Sequence, residues 1–509
     1  MTEELSVKDP IRRWLIIATV MAATLMQVLD TTIANVALPH MQAALGATPE
    51  TIVWVLTSYI VMAAIGVPAT GWLEAKVGRR RLFSIAVAGF TVSSAVCGSA
   101  GSLGMMVAAR ALQGMFGAII APLAQATMLD SSPREKHGQA MTIFTMGITI
   151  GPIIGPVLGG WLTDNYNWRW VFLINLPVGI LSFMGILALL DEKDLPQRRF
   201  DLFGFALLGV ALASFQLMLD RGNQNDWFDS TEILIEMGVA VSGFWMFAIH
   251  VLFSEAPLVP IALMTDRNYV IALFFSMILM GVAIAGPALM APMLQQLMGY
   301  DTVGAGLLMM PRGVGALLAM PVANGLSKRL DSRILIAAGL VLVASSLWLL
   351  TGLDLQVGRA PFIYSAFLQG VGIGFAFLPL AVLAFSSLPA ELRTEGAAFY
   401  NLVRNLGGSI SLSILGALLA RNLQVNHSDL AARITAGRVP VDSGYLEQLG
   451  FRGTTITAAI DTEVNRQAGM IAYINDFWLM MWMALLMLPL VFLLRTPKIQ
   501  PTEPSILME

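Results

Sequence analysis

Apolar residues run along this chain in blocks of about twenty, separated by short polar turns. An α-helix needs about 20 mostly apolar residues to cross the hydrocarbon core of a bilayer. Fourteen blocks meet that length, near 14–38, 50–73, 82–101, 105–129, 138–163, 168–190, 200–219, 231–253, 268–290, 301–325, 334–352, 360–387, 394–420 and 475–495. The pattern predicts an all-α integral membrane protein with fourteen transmembrane helices. The first block follows Arg12 and Arg13. Its apolar run is too long for a signal peptide and no cleavage site follows, so it reads as an uncleaved span.

Composition narrows the classes further. Hydrophobic residues make up 56% of the chain and charged residues 12%, against roughly 25% charged in soluble domains. A mean hydropathy of +0.73 agrees, and a soluble enzyme is excluded. The formal net charge of −3 points to no nucleic-acid partner. Cys97 is the single cysteine, so neither an intrachain disulfide nor a thiolate metal centre is expected. His40, His137, His250 and His427 are scattered without metal-ligand spacing. No GxxxxGK[ST] loop occurs, so the chain hydrolyses no ATP by that route, and a gradient must drive any transport.

The 30 basic residues orient the spans. Nineteen fall on the side of the N-terminus and eight on the other, five of these in or beside a long loop near 421–474. Both termini are therefore expected in the cytoplasm, with 496–509 as a cytoplasmic tail. The long loop is expected outside, periplasmic or extracellular, and folded into short surface helices.

The last three cations, Arg110, Arg312 and Arg404, fall inside spans. Charges in lipid are costly and mark function by default. One carboxylate, Asp30, lies deep in the first span; Glu236 is a weaker acidic candidate, one turn inside the eighth. Gln27, Thr31 and Asn35 recur every four residues, forming one helical face with Asp30 on its flank. Gln113 stands at i+3 from Arg110. An arginine keeps its proton, so Asp30 is the candidate carrier and Arg110 the group that tunes it or holds substrate. The plainer alternatives are a capped structural carboxylate and a helix-packing anchor.

Sliding the chain by 253–256 positions aligns the spans, and Leu112-Gln113-Gly114 echoes Leu368-Gln369-Gly370. The expected organisation is a six-helix half at 1–190, two inserted helices at 200–253 and a second six-helix half at 268–495. Parallel half-repeats are a transporter architecture. In the fifth span Gly147, Gly151, Gly155 and Gly159 recur every four residues, with Pro152 and Pro156 one position on. Such a small-residue face packs closely, and here predicts a pliable seam against the opposite half. The turn GWLEAKVGRRRLF (71–83) is short and basic; its plainer role is topology alone.

These segments resemble the major facilitator superfamily (MFS), and within it the fourteen-span drug:proton antiporters of the EmrB/QacA type. The resemblance covers nearly the whole chain. It rests on LDTTIANVALP (29–39), GWLEAKVGRRR (71–81), RALQGMFGA (110–118), GITIGPIIGPVLGG (147–160), DRGNQNDWF (220–228) and NLVRNLGGS (401–409). It implies an MFS fold with proton-coupling roles for Asp30 and Arg110 and an antiporter seam at Gly147, Gly151, Pro152, Gly155, Pro156 and Gly159. Gln27, Thr31, Asn35, Gln113, Arg404 and Asn405 are the expected substrate path. Gly71, Glu74, Gly78, Arg79 and Arg80 are the expected cytoplasmic gating loop. The superfamily loop motif has an aspartate where this chain has Ala75, with Glu74 next to it, so the resemblance carries no contact over to Glu74.

The function expected is proton-coupled export of amphipathic drugs across the inner (cytoplasmic) membrane by alternating access, with no cofactor beyond the proton gradient. The resemblance also implies a periplasmic membrane-fusion adaptor and an outer-membrane channel as partners in a two-membrane host. The competing readings are a dedicated exporter of one metabolite or lipid, a membrane-embedded lipid-linked transferase, and a non-transporting sensor. A transferase needs a His or carboxylate cluster near one membrane face, which the scattered histidines do not supply. A sensor gives the buried charges no purpose.

Overall fold

The computed structural model describes residues 9–192, 199–327, 329–434 and 454–495. The centre of the long loop (435–453), the tail (496–509) and seven of the basic residues used for orientation (Lys8, Lys193, Arg198, Lys328, Arg438, Arg452, Lys498) lie outside them. The described residues are helical and contain no strand. Among the described residues, fourteen helices are long and apolar enough to cross a membrane: α1 (Pro10–Leu45), α2 (Pro49–Val77), α3 (Arg79–Ser99), α4 (Leu103–Asp130), α5 (His137–Asn165), α6 (Trp170–Leu189), α7 (Leu202–Arg221), α8 (Thr231–Phe253), α9 (Arg267–Leu297), α10 (Val303–Leu326), α11 (Ser332–Thr351), α12 (Ala360–Ser386), α13 (Arg393–Ala432) and α14 (Ile456–Leu493). The chain is a multi-pass membrane protein.

Local chemistry sets where these helices begin. Asp9, Asp201, Asp266 and Asp331 each accept a bond from a backbone N–H of the following turn, at 2.8–2.9 Å, which satisfies donors that a helix start leaves open. Gly78 stands at φ +88°, joining α2 to α3 in a conformation that a side chain would strain.

Two boundaries differ from expectation. α13 runs 40 residues, to Ala432, about 60 Å at 1.5 Å per residue against a hydrocarbon core of about 30 Å. The helix that ends as α14 begins at Thr454, some twenty residues before the apolar block. The described parts of the expected loop are thus extensions of the two spans, not separate short helices. His427 Nε2 meets Asp461 Oδ1 at 2.9 Å, and Asn426 donates to the Ala468 carbonyl at 3.4 Å. Polar residues beyond the bilayer keep helical hydrogen bonds when a partner helix runs beside them, and hydropathy is blind to that.

The packing pairs of the first six spans recur in the last six. α1 packs on α5, α2 on α4, and α3 on α4 and α6; likewise α9 on α13, α10 on α12, and α11 on α12 and α14. The close approaches recur with them. Gly114 lets α4 press on the Tyr59 carbonyl, and Gly370 lets α12 press on the Arg312 carbonyl. Between the two sets, α13 meets α2 and α4, and α5 meets α10 and α12. α7 packs on α8, α2 and α13, so it lies across that junction. α8 is the least buried span.

The face at which α1 begins, the terminal face, also holds the end of α14. Arg12 donates to the Leu189 carbonyl at 2.9 Å, and the Asn268 side chain brackets the backbone of Arg495.

Candidate functional site

Asp30 and Arg110 meet inside the first six spans. Arg110 Nη1 donates to Asp30 Oδ2 at 2.6 Å, and the two side chains are 1% and 0% exposed. The remaining valences are filled by neighbours. Gln113 Nε2 and Asn175 Nδ2 donate to Asp30 Oδ1 at 2.9 and 2.7 Å. Arg110 Nε donates to the Val55 carbonyl at 3.1 Å, and Nη1 also to Gln113 Oε1 at 2.9 Å. The guanidinium carbon lies 4.2 Å from the Tyr59 ring centre. Asn175 also donates to Ser94, whose hydroxyl bonds the Phe172 carbonyl. Buried opposite charges persist only when paired and hydrogen-bonded, and five helices (α1, α2, α3, α4 and α6) converge to do both.

Sequence reading places Asp30, Arg110 and Gln113 but not Asn175, Ser94 or Tyr59. Neutral polar residues are common in spans, and only convergence distinguishes these. Gln113 stands wholly within the cluster. Of the stripe of Gln27, Thr31 and Asn35, the last two do not join it: Thr31 bonds back to the Val28 carbonyl and Asn35 to the Thr31 carbonyl, whereas the Gln27 side-chain oxygen is buried. Exposure along the stripe rises from half-buried Gln27 to exposed Asn35, away from the terminal face. Helix α1 therefore presents two chemistries, a sealed ion pair and an amide-hydroxyl stripe that becomes exposed at Asn35.

A third side of α1 receives the glycines of α5. A Cβ at Gly147 would overlap Met21; at Gly151, Val28; at Gly155, Thr32; at Gly159, Ile33. The stripe thus seats α5 on α1 within the same set of six helices. It does not face the opposite half, because a glycine row needs the closest backbone approach and α1 is where that occurs. Ile153, between the glycines, reaches across instead and lies against Gly313 of α10. Pro152 and Pro156 are exposed.

At the terminal face a charge network joins the two sets. Arg79 bonds Glu74 across the α2–α3 turn and donates to Asp130 Oδ2 at 2.7 Å and to Thr394 at 3.3 Å. Arg393 donates to the other oxygen, Asp130 Oδ1, at 2.6 Å. Glu74 is 1% exposed, so the acid beside Ala75 makes an inter-helix contact of its own. Gly71 leaves room for the Glu395 side chain of α13, and Gly78 for Glu192. Arg80 bonds the Leu187 carbonyl. Asp130 and Arg393 were legible in sequence only as span ends.

In the last six spans Arg404 donates to Asn401 Oδ1 at 2.8 Å, and Asn401 donates across to Gln125 of α4 at 2.9 Å. Asn405 is exposed. Arg312 bonds the Ala283 carbonyl, and Glu236 is half-buried on α8. Asp30 is not alone as a deep acid. Asp476 is 1% exposed, because the helix carrying it starts well before the apolar block and brings it inside the bundle. Among the described residues, no group of three or more His, Cys, Asp or Glu could hold a metal.

The sequence profile of the Major Facilitator Superfamily matches residues 20–412. The chain belongs to the major facilitator superfamily. It is 32% identical over 484 residues to the multidrug export protein EmrB of Escherichia coli (strain K12), covering 93% of this chain and 94% of that protein. It is 31% identical over 481 residues to the fatty acid resistance protein FarB of Neisseria gonorrhoeae, with 93% and 94% covered. Among solved structures, the superfamily's proton:xylose symporter XylE superposes with a TM-score of 0.60 at 14% identity, covering 94% of this chain and 96% of that one. The human organic anion transporter MFSD10 superposes with 0.56, also at 14%. These two likenesses establish the fold alone. An MFS chain is a transporter and not an enzyme.

Proposed function

We propose that this protein exports amphipathic drugs and toxic compounds in exchange for protons, by alternating access. The observation that carries the reading is the sealed Asp30–Arg110 pair, the one ion pair buried at the centre of the first six spans among the described residues. A proton on Asp30 would cancel the charge that Arg110 faces and weaken the strongest of the four bonds that hold α1 to α4 and α6, since charge-assisted bonds are roughly twice as strong as neutral ones. Helix α1 carries that change directly to α5 through Val28, Thr32 and Ile33 on the glycine seam. No separate relay is required, because one rigid helix holds both contacts.

In this reading 1–190 and 268–495 are the two moving halves, with 200–253 as the insert along their junction. Both termini lie in the cytoplasm and the protein sits in the inner membrane. The network of Gly71, Glu74, Gly78, Arg79 and Arg80 with Asp130 and Arg393 is then a cytoplasmic gate in its closed state. The rising exposure of Gln27, Thr31 and Asn35 toward the other face fits an outward-facing substrate path, to which Arg404, Asn405 and Gln113 contribute in the course of the cycle. EmrB is named for multidrug export and FarB for fatty acid resistance, which favours amphipathic substrates here. In a two-membrane host, a periplasmic membrane-fusion adaptor and an outer-membrane channel are the fitting partners. One proton crossing roughly 150 mV supplies ~3.5 kcal/mol, enough for a concentration ratio of a few hundred.

The test is substrate uptake into inside-out vesicles or proteoliposomes under an imposed proton gradient. Dye or drug uptake with counter-moving protons is expected. Movement of a single lipid or metabolite, with no drug or dye transported, would establish the dedicated exporter instead.

A further inference from the structure

Helix α14 carries a buried acid for which the mechanism above has no use. Asp476 is 1% exposed, and its Oδ2 has no hydrogen-bond partner among the described residues. It forms no ion pair with any described residue. The contrast with Asp30 is complete: that carboxylate accepts from an arginine and two amides, whereas nothing donates to Asp476 Oδ2.

The surroundings explain why no cation answers it. One turn along α14, Met480 lies 3.7 Å from the Cβ position of Gly286, on α9, and Gln369 of α12 borders the same point at 3.3 Å. This is the place in the second set of helices where the repeat would put a counterpart of the Asp30 cluster. Gln369 matches Gln113, but the offset puts Gly286 opposite Asp30 and Ala366 opposite Arg110. The charges of the elements packed on α14 stand elsewhere. Those of α9, α11 and α12 sit at helix ends (Arg267, Arg333, Arg359), Arg404 of α13 is bonded to Asn401, and Arg421 of α13 is exposed. Tyr473, on α14 itself, is the titratable neighbour. A bare carboxylate buried in this way costs several kcal/mol, and the neutral acid costs far less.

We propose that Asp476 is a second proton-binding site, in the last six helices, and that it holds a proton in this conformation. It stands eight residues, about 12 Å along the helix, from Ala468, whose carbonyl is bonded by Asn426 in the helical extension beyond the membrane. Asp476 therefore lies toward the face opposite the termini. The inference rests on the proton-coupled reading for its role in transport, but not for proton binding itself.

Two measurements separate those claims. The first treats the purified full-length protein with dicyclohexylcarbodiimide, which modifies protonated acids in apolar surroundings, from about pH 5 to about pH 9, and maps the adducts by peptide mass spectrometry. Adduct at Asp476 is expected, falling about tenfold per pH unit above its midpoint. No adduct at any pH, in protein that binds substrate normally, would overturn the proposal. The second compares proton-to-substrate stoichiometry and the pH profile of uptake in wild type, Asp476→Asn and Asp476→Glu. Asn is expected to lower the stoichiometry and flatten the alkaline limb, and Glu to restore both. Equal stoichiometry and pH profiles in all three would overturn the role in transport. If wild type moves substrate with no proton movement at all, the coupling reading fails while the adduct experiment still decides proton binding.

Discussion

Arg393 and Asp130 are 263 residues apart and joined at 2.6 Å. Asp130 ends α4, Arg393 begins α13, and Arg79 holds the carboxylate's other oxygen. One aspartate thus ties the two sets of helices at the terminal face. A hydrogen bond to a charged group contributes about 1.5–3 kcal/mol, and an asparagine keeps only one of the two acceptor oxygens and no charge, a loss large enough to shift a two-state closure substantially. Asp130→Asn is expected to raise the population open at this face at least ~tenfold. Spin labels on the terminal-face ends of α4 and α13, read by pulsed electron resonance, measure it. An unchanged distance distribution would show that the network does not hold the gate.

Asp30→Asn keeps the size of the side chain and removes its charge. Proton-driven dye uptake in inside-out vesicles is expected to fall to background, with protein level and binding retained. Unchanged uptake would rule out Asp30 as the carrier.

Arg110 should behave differently. Removing one partner of a buried pair costs ~3–5 kcal/mol because the other charge is left alone. Arg110→Ala is expected to lower thermal stability sharply. The double variant Arg110→Gln with Asp30→Asn should recover much of it. Lys at 110 cannot reproduce bonds to Val55, Gln113 and Asp30 at once. A double variant no more stable than Arg110→Ala would refute the pairing energetics.

The glycine seam offers a test with a built-in control. A methyl at Gly151 collides with Val28, whereas one at Gly160 meets nothing within 4 Å. Overpacking costs ~1–3 kcal/mol, so Gly151→Ala is expected to lower the melting temperature and transport together, and Gly160→Ala neither. Equal behaviour of the two would show that α1 and α5 do not need this approach.

The sequence by itself determined the fourteen spans, the identity of the deep pair Asp30 and Arg110, and the superfamily. Each follows from local or pairwise information: a bilayer demands about twenty apolar residues in a row, and a charge within such a row is conspicuous. Tertiary structure alone decided which neutral residues complete the site. Asn175 and Ser94 are ordinary in composition and matter through convergence on Asp30. It also decided that the α5 glycines seat on α1, that Glu74 joins Arg79, and that α13 and α14 continue as helices past the apolar blocks. Contacts of this kind are set by which faces of distant helices meet, and helical periodicity gives a residue its face but not its partner.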